Sequence, residues 1–248
     1  MAVLGSALTK QQISISETTM PHALITGANR GLGLEHVSQL LKREWTISAA
    51  VRDPDSADAL KALDPGDGRL RILPYDASDL NAAKALKAQV TGPLDILFAN
   101  AGVMGPKEQA FGEAANDGFL DTFRINTLAP LALAEAFADQ VAQSQLKVIA
   151  LQSSRMGSIG DNDSGGRYAY RASKAALNAV GKSLSIDLKD KGVIVLILHP
   201  GWVRTDMGGP NGLMTPSESV SAQLDLIARA NPAMSGRFFH ISGEDLPW

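Results

Sequence analysis

The chain has 248 residues, 45% of them apolar and 20% charged, with a formal net charge of −3. That length buries a sizeable core within one α/β domain, and the near-neutral balance leaves no basic footprint for nucleic acid or an anionic membrane surface. There is no cysteine, so disulfides and thiol catalysis are excluded. His22, His36, His199 and His240 do not pair with one another at metal-ligand spacing, and no metal is expected.

Residues 1–19 are rich in Ser, Thr and Gln and lack the basic and apolar regions of a secretory signal. They are read as a disordered leader or extension, with the folded domain spanning 20–248. No apolar run approaches the roughly 20 residues of a membrane span, and a cytoplasmic location is expected. From residue 22 onward, short apolar runs alternate with amphipathic stretches. The expected strands are 22–27, 46–52, 69–75, 94–100, 147–153, 193–199 and 237–241. The expected helices are 32–43, 55–63, 79–90, 114–143, 168–189 and 217–230. Most strand candidates are apolar on both faces, as in a buried parallel sheet. The alternation predicts a single doubly wound α/β domain of Rossmann type, with a parallel sheet of about seven strands and helices on both faces.

The first strand runs into TGANRGLG (26–33). Glycine at 27, 31 and 33 permits a tight turn and close backbone approach to phosphate, and the following helix N-terminus offers free N–H donors and partial positive charge. The turn residues Gly27, Asn29, Arg30, Gly31, Leu32 and Gly33 are therefore candidates for a dinucleotide pyrophosphate. Cofactor choice falls at the end of the second strand, where an acid would bind a ribose 2′-OH. Here AAVRDP offers Arg52. Together with Arg30 it favours a 2′-phosphate, and hence NADP(H). Asp53 reads as a helix N-cap with Pro54 at the first helical position; a shift of one residue would make it a ribose ligand and the cofactor NAD.

Of the three tyrosines, only Tyr170 has a lysine four residues on, Lys174; Tyr75 has Asp79 and Tyr168 has Ala172 at that offset. Residues i and i+4 share a helix face, so the ammonium can lower the phenol pKa, and depressing it by about 3 units needs about 4 kcal/mol. On its own this pair is a common accident of surface helices.

The glycine turn and YRASK (170–174) together resemble the short-chain dehydrogenase/reductase family across about 22–248. The YAYRASKAALN segment and the ending GRFFHISGEDLPW look like its branch of sniffer-type carbonyl reductases and C-factor-like bacterial proteins. The resemblance implies NADPH-linked hydride transfer to a ketone or aldehyde carbonyl, with Tyr170 giving the proton to oxygen. Lys174 would bind ribose and lower the phenol pKa, and Ser154 would orient the carbonyl. Ser153 and Ser158 compete for that last role, but the family glycine three residues on, Gly157, selects Ser154. Asn126 would hold a water linking Lys174 to solvent. Asp76 matches the adenine-contacting acid, although it also reads as a helix cap, and Asn100, Ala101 and Gly102 match the segment beside the cofactor. Pro200, Gly201, Val203 and Thr205 match the turn over the nicotinamide. The stretch 160–166 is read as a loop insertion and His199 as a core or turn residue. MGGPNGLM (207–214) is read as a mobile flap with glycine hinges. Met104, Met156, Trp202, Met207 and Met214 are the expected pocket for a small carbonyl substrate, with Arg155 and Arg204 nearby. Family members imply a homodimer or homotetramer. The competing readings are an NAD-dependent secondary alcohol dehydrogenase and a non-catalytic dinucleotide-binding regulator.

Overall fold

The computed structural model describes residues 20–113 and 116–248; the expected leader, 1–19, lies outside them. Seven strands form one parallel sheet in the order β3-β2-β1-β4-β5-β6-β7. They are β1 (His22–Thr26), β2 (Thr46–Val51), β3 (Leu70–Pro74), β4 (Ile96–Ala99), β5 (Val148–Gln152), β6 (Ile194–His199) and β7 (Arg237–His240). The helices are α1 (Gly31–Lys42), α2 (Asp58–Lys61), α3 (Ala82–Lys87), α4 (Asp117–Phe123), α5 (Ala129–Ala142), α6 (Tyr168–Asp187) and α7 (Pro216–Ala228).

Successive strand residues point to opposite faces, and both faces are apolar. Leu24 joins a core with Leu133, Phe137 and Leu177 from α5 and α6. Its neighbours Ala23 and Ile25 join a second core with Val37, Leu40 and Leu224 from α1 and α7. Each large side chain fully buried in this way contributes about 1.5–3 kcal/mol. That explains why β1, between two layers of helices, carries no polar alternation.

All seven expected strands form, but two helices are shorter than expected. In place of 55–63 and 79–90 the chain forms α2 and α3, because aspartates hold the preceding turns. The Asp53 carboxylate accepts the Asp55 N–H at 3.0 Å and the Asp76 carboxylate accepts the Ser78 N–H at 2.9 Å. Such turns compete with helix initiation. Asp53 and Asp76 therefore close Asx-turns rather than cap helices; the residue before α2 is Ala57.

The long helical stretch expected over 114–143 is interrupted by a π-helical turn, Arg124–Leu128, between α4 and α5. Pro130 has no N–H to return to the Asn126 carbonyl, and a widened turn is one way the ladder absorbs that loss. Strand order reverses between β1 and β4, so the ends of these two neighbours open a crevice where doubly wound sheets bind ligands.

Candidate active site

The crevice is built from the turn after β1 and the segment after β4, tied together by Thr26. Its hydroxyl accepts the N–H groups of Asn100 and Ala101, each at 3.1 Å. The Asn100 amide donates back to the carbonyls of Thr26 at 2.9 Å and Gly27 at 3.3 Å. The turn is too tight for side chains: a Cβ on Gly33 would lie 2.2 Å from the Gly27 carbonyl oxygen, and one on Gly27, at φ +64°, would lie 3.0 Å from the Ala101 backbone. Asn29, Arg30 and Leu32 complete the turn. At the start of α1, Arg30 makes no side-chain cap, and the first turn of the helix carries no acid. Its N–H donors are thus left for an anion, and this cradle fits a dinucleotide phosphate.

Arg52 is exposed at the end of β2. The Asp76 carboxyl is held below the usual range by the Ser78 backbone and hydroxyl, with the Arg52 charge assisting. Arg30, the second candidate for a 2′-phosphate, is exposed at the glycine turn. It reaches Asp206 at 3.1 Å, an ion pair more than 70% exposed on both sides and therefore weak enough to exchange.

The helix α6 positions the reacting-group candidates. Its inward stripe is Tyr170, Ser173, Lys174, Leu177, Asn178 and Gly181, so the Tyr170–Lys174 pair lies on the buried face, at 6% and 5% exposure. Tyr168 is on the surface and Tyr75 is in the core. Gly157 explains the packing: a Cβ there would lie 2.7 Å from the Lys174 carbonyl carbon, so only glycine lets α6 approach the end of β5. The Ser154 hydroxyl accepts the Met156 N–H at 3.2 Å and lies close enough to the Tyr170 phenol to influence its pKa. Ser153 donates to Asn178, and Ser158 donates to the Trp248 carbonyl while accepting the Asp161 N–H. Both competitors are thus committed elsewhere.

Lys174 Nζ donates to the Gln152 carbonyl at 2.7 Å and lies 5.9 Å from the centre of the Tyr170 ring. Burial pushes its pKa down to about 8. Burial also pushes the Tyr170 phenol up, with the Ser154 hydroxyl opposing. Desolvation of the phenolate is the larger of these two influences. A Cβ on Gly102 would lie 3.6 Å from Lys174 Nζ and 3.2 Å from Asn126 Oδ1. The Asn126 side chain is occupied, accepting the Val103 N–H and donating to the Val103 carbonyl (both 2.9 Å) and to Ser173 Oγ (3.0 Å). Any water held at Asn126 falls to its backbone carbonyl, which Pro130 leaves without its α-helical donor.

The wall after β6 carries Pro200, Gly201, Val203 and Thr205. The Pro200 carbonyl accepts from Ser219, Val203 bridges to Met214, and Thr205 accepts the Gly208 N–H. Trp202 Nε1 donates to the Gly208 carbonyl, and Met214 packs on Gly201. Two of the three flap glycines serve close packing: Cβ atoms on Gly208 and Gly212 would lie 2.0 Å from the Val203 carbonyl oxygen and 2.5 Å from the Arg204 nitrogen, whereas Gly209, at φ +75°, has open space around it. Met104 and Met156 are half-buried, and Met207 is exposed. Arg155 pairs with Asp161, and Arg204 donates to the Gly212 carbonyl. Residues 160–167 form the expected loop, with Gly165 and Gly166 in the left-handed region and open space around them. His199 is half-buried beside the ring of His240 and held neutral by burial.

Three contributors carried no sequence signal. They are the Gln152 carbonyl, Ser173, which donates to the Tyr170 carbonyl at 2.8 Å, and Gln109, which accepts the Tyr170 N–H at 3.1 Å. Thr26 stands inside a recognised motif, but its tie to β4 is visible only once the strands are neighbours.

A seven-stranded doubly wound sheet, with a glycine cradle at its switch point and a buried Tyr–Lys pair beside a half-buried Ser154, is the framework of a dinucleotide-linked oxidoreductase. The pattern of the short chain dehydrogenase family matches residues 21–214, and the chain belongs to that family. Among its relatives is the C-signal protein of Myxococcus xanthus, 46% identical over 158 residues, covering 64% of this chain and 95% of that one. The carbonyl reductase Sniffer of D. melanogaster superposes with a TM-score of 0.85 at 35% identity, over 92% of this chain and 100% of that one. The NADPH-bound carbonyl reductase from chicken fatty liver gives 0.86 at 31% identity, over 92% and 99%.

Proposed function

We propose that the protein is an NADPH-dependent reductase of ketone or aldehyde carbonyls. The observation that carries this reading is the burial of Tyr170 against Ser154 on the same helix face as Lys174, beside the glycine cradle. The chemistry supplied there by a bound reduced nicotinamide is hydride donation to the carbonyl carbon. Tyr170 Oη holds the proton that passes to the carbonyl oxygen, completing the alcohol. Ser154 accepts a backbone N–H and keeps its own O–H to orient the carbonyl. Lys174 uses one of its three N–H donors on Gln152, which leaves two for ribose hydroxyls, and its charge stabilises the phenolate as the proton leaves. A tyrosine phenol is ordinarily protonated at neutral pH and burial raises the Tyr170 pKa further, so Tyr170 carries the proton that reduction needs.

NADP(H) is supported by Arg52 and by Arg30, whose exposed pairing with Asp206 can yield to a phosphate. Asp53, the NAD alternative, has one carboxylate oxygen, Oδ1, in an Asx-turn with the Asp55 N–H. The NADPH-bound chicken enzyme adds support. The remaining cofactor contacts belong to the same reading: Gly27, Asn29, Gly31, Leu32, Gly33, Asp76, Asn100, Ala101, Gly102, Pro200, Gly201, Val203 and Thr205. A pocket formed by Met104, Met156, Trp202, Met207 and Met214, with Arg155 and Arg204 engaged elsewhere, suits apolar or aromatic carbonyls and diketones better than 2-keto acids. A homodimeric or homotetrameric cytoplasmic enzyme completes the proposal.

The deciding experiment is an NADPH-oxidation screen across quinones, diketones, aldehydes, ketoesters and 2-keto acids, repeated with NADH. Turnover of the uncharged classes is expected. Arg52→Ala should raise KM for NADPH about tenfold or more while leaving that for NADH nearly unchanged, since a charge-assisted bond is worth about 1.5–3 kcal/mol. Equal effects on both cofactors would return the 2′ position to Asp53. The likeness to a protein named for a signal favours one second reading, a dinucleotide-binding regulator. Tight NADPH binding without turnover of any carbonyl would select it.

A further inference from the structure

Gln109 lies in the segment between β4 and α4, at 2% exposure, and both amide N–H groups and the amide oxygen are hydrogen-bonded. Oε1 accepts the Tyr170 N–H at 3.1 Å, while Nε2 donates to the Met104 carbonyl at 2.9 Å and the Pro106 carbonyl at 2.7 Å. The first contact answers a local need. Tyr170 is the third residue of α6, so its N–H has no acceptor within the helix. The residue before α6, Arg167, sits at φ +50° and makes no side-chain cap, and Gln109 supplies the missing acceptor from a distant part of the chain. The other two contacts hold the backbone on either side of Gly105, where a Cβ would lie 2.6 Å from Thr122 Oγ1, so the loop is pressed against α4.

A second amide grips the same two partners from the other side. Asn126 pairs with both backbone groups of Val103 and donates to Ser173 Oγ, which donates to the Tyr170 carbonyl. The N–H and C=O of Tyr170 are thus each tied, through a buried amide, to the loop that presents Met104. We infer that Gln109 is a positioning residue that sets the Tyr170 phenol against the Met104 wall of the substrate pocket: its acceptor half fixes the proton donor and its donor half fixes the wall. The inference rests on the reductase reading above and adds to it a residue that touches neither cofactor nor substrate.

The two halves separate in two variants. Gln109→Met has no strong acceptor and no donor. It should lower kcat for an aromatic diketone such as benzil about 10- to 100-fold, the cost of sub-ångström misplacement of a reacting group, and raise KM as well. Gln109→Glu keeps an acceptor at a helix N-terminus but turns carboxylate oxygen toward two carbonyls. It should hold kcat within about threefold while raising KM for benzil about fivefold or more. NADPH affinity, read by fluorescence titration, should stay within about twofold in both, because the cofactor contacts lie elsewhere. Exchange of the Tyr170 amide hydrogen, followed by NMR, should accelerate about tenfold or more in Gln109→Met and remain slow in Gln109→Glu.

Unchanged kcat and KM in both variants of an active enzyme, or equal losses that simply follow Tm, overturn the role of Gln109 alone. A wild-type protein inert toward carbonyls overturns the reductase reading, and amide exchange then decides the clamp by itself: an unaltered Tyr170 rate in Gln109→Met overturns it.

Discussion

Tyr170→Phe removes the phenolic proton but keeps the ring that fills the wall of the crevice. It should lower kcat by about 10²–10⁴, the usual worth of a positioned general acid, with NADPH binding retained; Tyr168→Phe, a change on the surface, should leave turnover intact. A stopped reaction in the second variant and not the first would move the proton donor. Lys174 offers a test that needs no substrate. Its pKa falls from the ordinary 10.5 to about 8 because burial penalises the charge. Between those values the unfolded chain binds the proton and the folded one does not, so stability rises as pH rises from 8 to 10.5. Below pH 8 the buried charge costs about 3 kcal/mol. Lys174→Met should therefore unfold at higher temperature than wild type at pH 7, with the gain fading toward pH 10.5, while losing activity. Calorimetry across that range checks both the sign and the window. That Tyr170 and Lys174 share a helix face could be read from their spacing, because i and i+4 on a helix are neighbours in any fold; Ser154 was singled out only by the resemblance, through Gly157. That burial would raise the phenol pKa could not, because desolvation depends on what covers the group.

The helix α1 carries His36 into the core between β4 and α7. The ring packs against Phe98, tilted by 45° with centroids 4.2 Å apart, and neither ring nitrogen finds a hydrogen-bond partner among the described residues. Burial, only partly offset by the facing Gln223 amide, pushes its pKa down to about 3. The unfolded chain takes up a proton near pH 6.5 and the folded chain does not, so stability is lost as pH falls from 6.5 toward 3, by about 2 kcal/mol at pH 5. His36→Leu should flatten that loss in urea titrations at pH 7 and pH 5; an unchanged difference would assign the acid sensitivity to His199, pushed down to about 3 by the same cause. Elements of this kind were legible from apolar periodicity, down to the seven strands. The two shortened helices were not, because the choice between an Asx-turn and a helix cap at Asp53 and Asp76 turns on a few local hydrogen bonds. The π-helical turn had only Pro130 as its cue.

For the molecule as a whole, ligand binding to the folded state alone raises stability by RT ln(1 + [L]/Kd). NADPH at about a hundred times Kd should add about 2.7 kcal/mol, and with it a Tm shift of roughly 5–10 °C for a chain of this size. NADH at the same concentration should give a clearly smaller shift, and Arg52→Ala should narrow the difference. Identical shifts for both cofactors would remove the 2′-phosphate from the proposal.

The order of residues carries the sheet, the glycine cradle and the Tyr–Lys pair, because periodicity, turn chemistry and helical spacing act between near neighbours along the chain. It does not carry the partners of those groups. Thr26 meets Asn100 only because β1 and β4 become adjacent, Gly157 is needed only where α6 presses on the end of β5, and Arg30 faces Asp206 across 176 positions. Gln109 stands in a segment with no motif at all, yet its amide reaches a helix that begins 59 residues later. A contact between distant segments exists only after the core has closed and excluded water from the groups it joins, and so the fine placement of the candidate site belongs to the folded structure.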